Sequence, residues 1–150
     1  MQRRISSALL ASLLTVITAL SFGVPQARAQ TSAKPYLVEW VYRIKYGYQE
    51  EWWKIFLKYQ IATLDKEKDL GYVTSYQVVR PGLHTSEDSR WDYRIVIAYK
   101  DGASATHGSE VEKSLFPDTE LRKREENRRW ELTTNHWDLP IHEVDPHVVD

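Results

Sequence analysis

The 150-residue chain contains no cysteine, which excludes disulfide bonds, thiolate metal ligands and a lipid-attachment cysteine. Glycine is also scarce, and the sequence has neither a glycine-rich phosphate loop nor a G-x-S-x-G nucleophile motif. A chain without covalent cross-links has to be stabilised by its core. Six Trp, nine Tyr and three Phe supply large buried areas for that purpose.

The only long apolar run lies at the N-terminus. Two arginines precede an apolar run from about residue 8 to residue 24, and the small residues Ala27 and Ala29 follow it. This order is typical of a secretory signal peptide. We therefore expect a signal peptide over residues 1–29, cleavage after Ala29, and a periplasmic or secreted protein. A membrane anchor is the alternative, but Pro25 and the A-x-A end argue against it.

Basic residues are not in excess. The full chain has 20 basic and 21 acidic residues, and loss of a signal peptide that holds three arginines and no acid changes the formal net charge from −1 to −4. Such a chain cannot neutralise a phosphate backbone, so we expect no nucleic-acid partner and no membrane association after cleavage.

Periodicity divides the mature chain into strands and helices. Residues 36–45 and 91–100 alternate between heavy aromatic positions and charged or small ones, which predicts strands. An N-terminal arm over 30–35 and a flexible tail over 146–150 flank one domain, 36–145. The further predicted elements are helices at 48–71 and 118–137, a short helix before Pro117, and strands at 72–82 and 138–145, the last one at a sheet edge.

This element order predicts an α+β fold. Strand, helix, strand, strand, helix, strand is the ferredoxin-like βαββαβ plan, an antiparallel sheet with helices on one face. The helix at 48–71 has two apolar stripes, so we expect it to contact a second neighbour besides the sheet. The first stripe holds Trp52, Ile55, Phe56, Tyr59 and Ala62, and the second holds Trp53, Leu57, Ile61 and Leu64.

Two segments, "WDYRIVIAYKD" on the third strand and "NHWDLPI" before the last, resemble secreted bacterial members of the dimeric α/β-barrel superfamily. The resemblance implies ferredoxin-like domains whose sheets pair across a two-fold axis into a barrel. That superfamily includes cofactor-free oxygenases, isomerases, haem-degrading enzymes and proteins without known activity, so it implies no single reaction. Haem-degrading members use an Asn on the first strand, which this strand lacks, and we expect no cofactor.

The first and third strands are expected to be antiparallel neighbours with charges on one shared face. That orientation predicts that Glu39 lies near Arg94 and Arg43 near Asp92, one pair directly opposite and the other diagonal. Val41 and its small apolar neighbours separate these charges. A semi-polar face of this kind favours a dimer interface or the lumen of a barrel, and a solvated network of ion pairs is the alternative.

The aromatic positions are candidates for a ligand pocket, with the protein core as the alternative interpretation. The pocket candidates are Trp40, Tyr42, Trp53, Tyr93 and Trp137. His136, predicted at a helix end, and Arg94 are the candidate catalytic groups. The histidines lack the spacing of a compact metal site, so we expect no metal. The mixed-charge run "LRKREENRR" predicts a solvated helix face.

Taken together, these patterns predict an exported, homodimeric, ferredoxin-like domain of unassigned activity that binds a small apolar or aromatic ligand. A cofactor-free oxygenase or isomerase of the dimeric α/β-barrel type is one alternative. A structural or interaction subunit, with every aromatic residue in the core, is the other. A cavity between sheet and helices would favour the first two over the third.

Overall fold

The computed structural model describes residues 34–83 and 85–148. The expected signal peptide, most of the expected N-terminal arm, His84 and the last two residues of the tail lie outside the described residues. Within them the strands are β1 (Tyr36–Ile44), β2 (Val73–Val79), β3 (Tyr93–Tyr99) and β4 (Thr133–Ile141). The helices are α1 (Gln49–Phe56), α2 (Ala62–Asp69), α3 (Gly108–Leu115) and α4 (Thr119–Leu132).

The four strands form one antiparallel sheet in the order β2-β3-β1-β4. β1 pairs with β3 through Trp40–Ile95 and Tyr42–Tyr93, and with β4 through Tyr42–His136. This is the ferredoxin-like arrangement, with the first and third strands as central antiparallel neighbours. The fold class and the pairing of these two strands are therefore confirmed.

The helices cover one face of the sheet, and the core lies between the two layers. Tyr42 and Ile44 of β1 and Ile95 and Ile97 of β3 are buried there because alternate side chains of a strand point to the same face. Trp52 of α1 is fully buried against them, with its ring 4.9 Å from that of Tyr42. The aromatic side of each alternating strand is thus the side that faces the helices.

A π-helical segment, Leu57–Ile61, joins α1 to α2 without a break in the helix. Its wider turn changes which residues face inward. Trp52, Phe56 and Tyr59 are buried as predicted, but the stripe continues through Thr63 and Glu67, and Leu57 is 42% exposed. The second neighbours of this long helix are α3 and α4.

The last helix is shorter and the last strand begins earlier than predicted. α4 ends at Leu132 and β4 follows directly with Thr133. The Leu132 carbonyl accepts the Lys45 N–H, and the Thr133 hydroxyl donates to the Arg129 carbonyl, so the end of the helix is fixed by neighbouring groups. β4 is the edge strand that the sequence predicts, with Pro140 near its end.

The charged run on α4 is not a purely solvated face, and that prediction is corrected. Several of its side chains pair with the first helix. Arg128 makes two hydrogen bonds to Glu51, 2.7 and 3.2 Å long, and Glu125 accepts from the Tyr59 hydroxyl at 2.6 Å. Arg129 is only 2% exposed. The helix packs against α1 and the π-helical segment, and its charges therefore carry part of the contact between helices.

No helix among the described residues is both long and apolar enough to cross a bilayer.

Candidate functional site

A cleft opens between the sheet and the helical layer, with a cavity volume of about 510 Å³. β1 and β4 form its floor, α4 forms one wall, and the opposite wall comes from the π-helical segment, α2 and α3 with the loop before it. The aromatic side chains that line it are Trp40, Tyr42, Tyr99, Trp130 and His136. This volume is within the range of small-molecule sites.

The direct connection between α4 and β4 brings the polar residues of the cleft together. Arg129 and Trp130 occupy the last turn of α4, and His136 and Asp138 follow on β4. The two β4 residues are two apart, so both side chains point to the helix side of the strand. Their partners on β1 are Tyr42 and Trp40, respectively.

His136 is held on three sides. Its ring stacks on that of Tyr42, with centroids 4.1 Å apart and planes 12° from parallel. Nδ1 lies 3.0 Å from the Val41 carbonyl oxygen, and Nε2 lies 3.0 Å from Oδ1 of Asp138. A carbonyl oxygen and a carboxylate oxygen both accept, so only the doubly protonated ring makes both hydrogen bonds. Both ring nitrogens therefore face acceptor oxygens of the protein.

Arg129 is a buried cation in the wall of the cleft. Its Nε and Nη2 donate to Glu126, with the shortest distance 2.7 Å. The guanidinium carbon lies 4.6 Å from the centre of the Trp130 ring, a favourable cation–π distance. Its Nη1 has no hydrogen-bond partner among the residues that the structure describes. Burial raises the pKa of the nearby Tyr42 hydroxyl, and Arg129 opposes that rise.

Two acids near the cleft have raised pKa values, which favours their neutral forms. Burial, and then the negative charge of Glu126, raise the pKa of Glu112. Glu67 is 1% exposed, and burial raises its pKa from 4.5 to about 7. Its carboxyl group lies beside Gly108 at the start of α3, and its Oε1 has no hydrogen-bond partner in the described part of the chain.

The structure divides the five aromatic pocket candidates among three places. Trp40 and Tyr42 line the cleft. Trp53 and Tyr93 stack on each other, with centroids 4.7 Å apart, and line a separate cavity of about 310 Å³ beside β2. Trp137 alternates with His136 on β4 and therefore points to the opposite face of the sheet. The five candidates do not form one pocket.

The charged cluster is formed only in part. Glu39 and Arg94 lie 3.3 Å apart across β1 and β3, on the face away from the helices. The expected Arg43–Asp92 pair is absent. Arg43 instead donates to the backbone carbonyl of Glu87, 3.1 Å away.

Asp92 is held by closer neighbours. Arg90, two residues earlier, donates to it at 2.8 Å, and the Ile44 N–H donates to it at 2.7 Å. Both of these bonds go to Oδ2, and Oδ1 accepts from Arg90 and Gln49, so both carboxylate oxygens already have partners. Arg94 stacks on Trp91 instead of entering the cleft, with its guanidinium carbon 4.6 Å from the ring centre. Of the two candidate catalytic groups, only His136 lines the cleft.

The sequence interpretation missed most polar residues near the cleft. Arg129 and Glu126 belong to a run that resembles any solvated helix, Asp138 was assigned to no site, and Glu67 lies beyond the π-helical segment. A sequence signal exists only for Arg129, because it lies three residues before the apolar Leu132 and so shares its face of α4. Within the described ranges, no group of three His, Asp or Glu side chains is placed to hold a metal ion.

Comparisons with known proteins identify relatives by fold only. No protein-family model matches the chain, and no curated protein matches it significantly. A dimeric ferredoxin-like protein from an uncultured marine organism superposes with a TM-score of 0.55 at 8% identity, over 79% of this chain and 96% of the other.

Two further solved structures superpose less closely. A NIPSNAP-family protein from Agrobacterium tumefaciens gives a TM-score of 0.50 at 17% identity, over 75% of this chain and 89% of the other. A protein of Pseudomonas aeruginosa gives a TM-score of 0.50 at 12% identity, over 76% of this chain and 98% of the other. At such identities the likeness shows the ferredoxin-like fold and no activity.

The buried Glu67 makes a pH-dependent contribution to stability. Between pH 4.5 and 7 the folded protein keeps a proton that the unfolded chain has lost, so the free energy of unfolding falls as the pH rises through this range. We expect Glu67→Gln to be more stable than the native protein at pH 8, by up to about 3 kcal/mol, and the difference to shrink toward pH 5. Urea denaturation at both pH values measures it.

The exposed Glu143 provides the matched control. Glu143→Gln should change the free energy of unfolding equally little at pH 5 and pH 8. A Glu67→Gln effect that is the same at both pH values would contradict the assignment.

Proposed function

We propose that this chain is an exported, homodimeric ferredoxin-like protein that binds a small apolar or aromatic molecule in the cleft between sheet and helices. The observation that carries this proposal is the cleft itself, about 510 Å³ in volume and lined by the rings of Trp40, Tyr42, Trp130 and His136. Aromatic walls favour planar apolar ligands through stacking and loss of hydrated surface. The few polar groups between these rings would fix the ligand's orientation.

Binding accounts for the geometry better than turnover does. A cofactor-free oxygenase or isomerase would need a group in the cleft that takes a proton from its substrate. His136 is the candidate in the right place, but both of its ring nitrogens face acceptors within the protein. A purely structural subunit would pack its aromatic residues solidly, whereas Trp40 and Tyr42 line open space.

The homodimer is supported by the face of the sheet that the helices do not cover, which we call the mixed face and which carries Glu39, Val41, Arg94 and Val96. Val41 is fully buried between Arg94 and Trp137, its partners on the two neighbouring strands. Val96 is half-buried, directly opposite Glu39. A half-apolar face is suited to a second sheet, and the marine protein with the same fold is named as dimeric.

Export is supported by the N-terminal sequence pattern. We expect the protein recovered from the periplasm or medium of a Gram-negative host to begin at Gln30, because cleavage follows the A-x-A end at Ala29. Intact-mass measurement of the recovered protein checks this. An Ala29→Arg variant should retain the N-terminal segment, and a full-length mass for the native protein would contradict cleavage.

Ligand binding is tested by filling the cleft. Ser109 lies at its edge on α3, and we expect Ser109→Trp to weaken binding of 2-acetylnaphthalene at least about tenfold because the new ring would occupy the cavity. Isothermal titration calorimetry measures the dissociation constant. Ser114→Trp, an exposed position later on the same helix, is the matched control and should bind as the native protein does. Equal affinities of the two variants would contradict the cleft as the site.

Dimerisation is tested on the mixed face. Arg94→Glu places a second carboxylate beside Glu39 and removes its partner, so we expect the molar mass in light scattering to fall toward that of one chain. Lys123→Glu, the same kind of substitution on the exposed surface of α4, should leave the mass unchanged. A native mass for both variants would count against the mixed face as the interface.

A further inference from the structure

We propose that Arg129 anchors the ligand: its Nη1 donates a hydrogen bond to an acceptor oxygen on an uncharged aromatic molecule, such as the carbonyl oxygen of an aryl ketone. This inference rests on the proposed function and assigns the chemical class of its ligand. It identifies Arg129 as a binding residue and Thr63, on the opposite wall of the cleft, as a second donor.

The hydrogen-bond inventory of Arg129 shows an unused donor. A guanidinium has five N–H groups, and Glu126 accepts only from Nε and Nη2. Nη1 has no partner in the described part of the chain, although Arg129 is 98% buried and lines the cleft. A buried donor without a partner is costly, and an acceptor supplied by a ligand would remove that cost.

Thr63 repeats the pattern on the opposite wall of the cleft. Its side chain is 6% exposed, its Oγ1 has no hydrogen-bond partner among the described residues, and it lines the same cavity. It lies two residues after the π-helical segment, whose extra residue turns the following part of the helix. Two residues that line the cleft from different walls therefore each hold a donor without a partner in the described part of the chain.

Each carboxylate that lines the cleft, by contrast, already has at least one partner. Glu126 accepts from Arg129 at 2.7 Å and lies 3.4 Å from the amide nitrogen of Gln60. Asp138 lies 3.0 Å from Nε2 of His136. The side-chain amide of Gln60 also donates to Glu112. Hydrogen-bond donors on a ligand would have to share carboxylates that already have partners. An acceptor on a ligand could instead bond to the donors of Arg129 and Thr63, which have none among the described residues.

The charges that line the cleft favour a ligand with an uncharged acceptor over a ligand with a carboxylate. Glu126 already neutralises Arg129, so the pair presents no net positive charge to a ligand. Glu112 lies 3.8 Å from Arg122 and Asp138 lies 3.0 Å from His136, so the other acids that line the cleft also lie beside basic side chains of their own, and a ligand carboxylate would find no unengaged counter-ion among these residues. An uncharged carbonyl oxygen takes the hydrogen bond and needs no counter-ion. The rings of Trp40 and Trp130 provide apolar surface for the aromatic part of the molecule.

Three probes with the same naphthalene ring test the proposal on the mature protein. They are 2-acetylnaphthalene, its hydrocarbon isostere 2-isopropenylnaphthalene, and 2-naphthoate. We expect the native protein to bind the ketone at least about tenfold more tightly than either other probe, as measured by calorimetry or ligand-observed NMR. A charge-assisted hydrogen bond of ordinary strength accounts for that ratio.

The variant Arg129→Lys separates the hydrogen bond from the charge. Lysine keeps a cation beside Glu126 but lacks the second nitrogen arm, so the ketone should lose its advantage while the hydrocarbon binds as before. Thr63→Val keeps the shape of the side chain without its hydroxyl, and it should reduce the ketone preference by a smaller factor. The comparison of ketone and hydrocarbon in the native protein needs no variant, so it holds even if Arg129→Lys does not fold.

The outcomes distinguish this inference from the function on which it rests. Equal binding of ketone and hydrocarbon by the native protein would overturn the role of Arg129 and leave the ligand cleft standing. Tightest binding of 2-naphthoate would overturn the uncharged class. An unchanged ketone preference in Arg129→Lys would likewise overturn the anchor. Failure of all three probes to bind would instead count against the proposed function itself.

Discussion

The alternation of side chains along β1, a strand that is hydrogen-bonded to β3 on one side and to β4 on the other, is the constraint on which the rest of the structure depends. Successive side chains of an extended strand point to opposite faces, so this one strand contributes to the core, the cleft and the mixed face at once. Tyr42 supports the stacked ring of His136 on one side, while Val41 lies between Arg94 and Trp137 on the other. A register shift of one residue would exchange the two faces and dismantle all three features.

The cleft also depends on the buried ion pair between Arg129 and Glu126, whose removal from water has to be offset by other interactions. Removing a guanidinium and a carboxylate from water costs several kcal/mol, and the pair recovers this only through good geometry and hydrogen bonds to its remaining protons and lone pairs. Arg129 and Glu126 meet the first condition, since they are one helical turn apart, and the Trp130 ring adds a cation–π contact, but Nη1 of Arg129 leaves the second condition unmet among the described residues. The charge is therefore retained in a place where an apolar side chain would pack without such a cost.

The fold could be predicted from the sequence because local periodicity determines which segments form strands and helices. Alternation in β1 and β3 predicts the strands and their pairing, and the structure confirms both. The order of the elements and the position of β4 at the sheet edge were predicted for the same reason. The boundary between α4 and β4 was not predicted, because it is set by hydrogen bonds to distant groups, such as the bond from the Lys45 N–H to the Leu132 carbonyl.

Site residues were harder to predict because their roles depend on packing between elements. Trp40, Tyr42 and His136 could be proposed from residue type alone, and they lie together in the cleft. Arg43 lies on β1 and Asp92 directly precedes β3, but Arg90 and the Ile44 N–H are closer to the carboxylate and hold it. Glu67 carries no local signal of burial, and Arg129 carries only its spacing from Leu132, since sequence shows charge but not the neighbours that surround it.

The π-helical segment has a consequence for how this cleft could change. An α-helix completes a hydrogen-bonded turn with one residue fewer, so Leu57–Ile61 accommodates a residue that a regular helix would not need. Deleting one residue there would remove this surplus and restore regular winding, while Thr63 and the residues after it would keep the faces they now present. Regular winding of the unshortened sequence would instead rotate everything downstream by about 100°. Thr63 would then leave the wall of the cleft, while Trp52 and Phe56 upstream would stay in the core. Thr63 thus lines the cleft because of the wider turn, whereas the hydrophobic interior upstream does not depend on it.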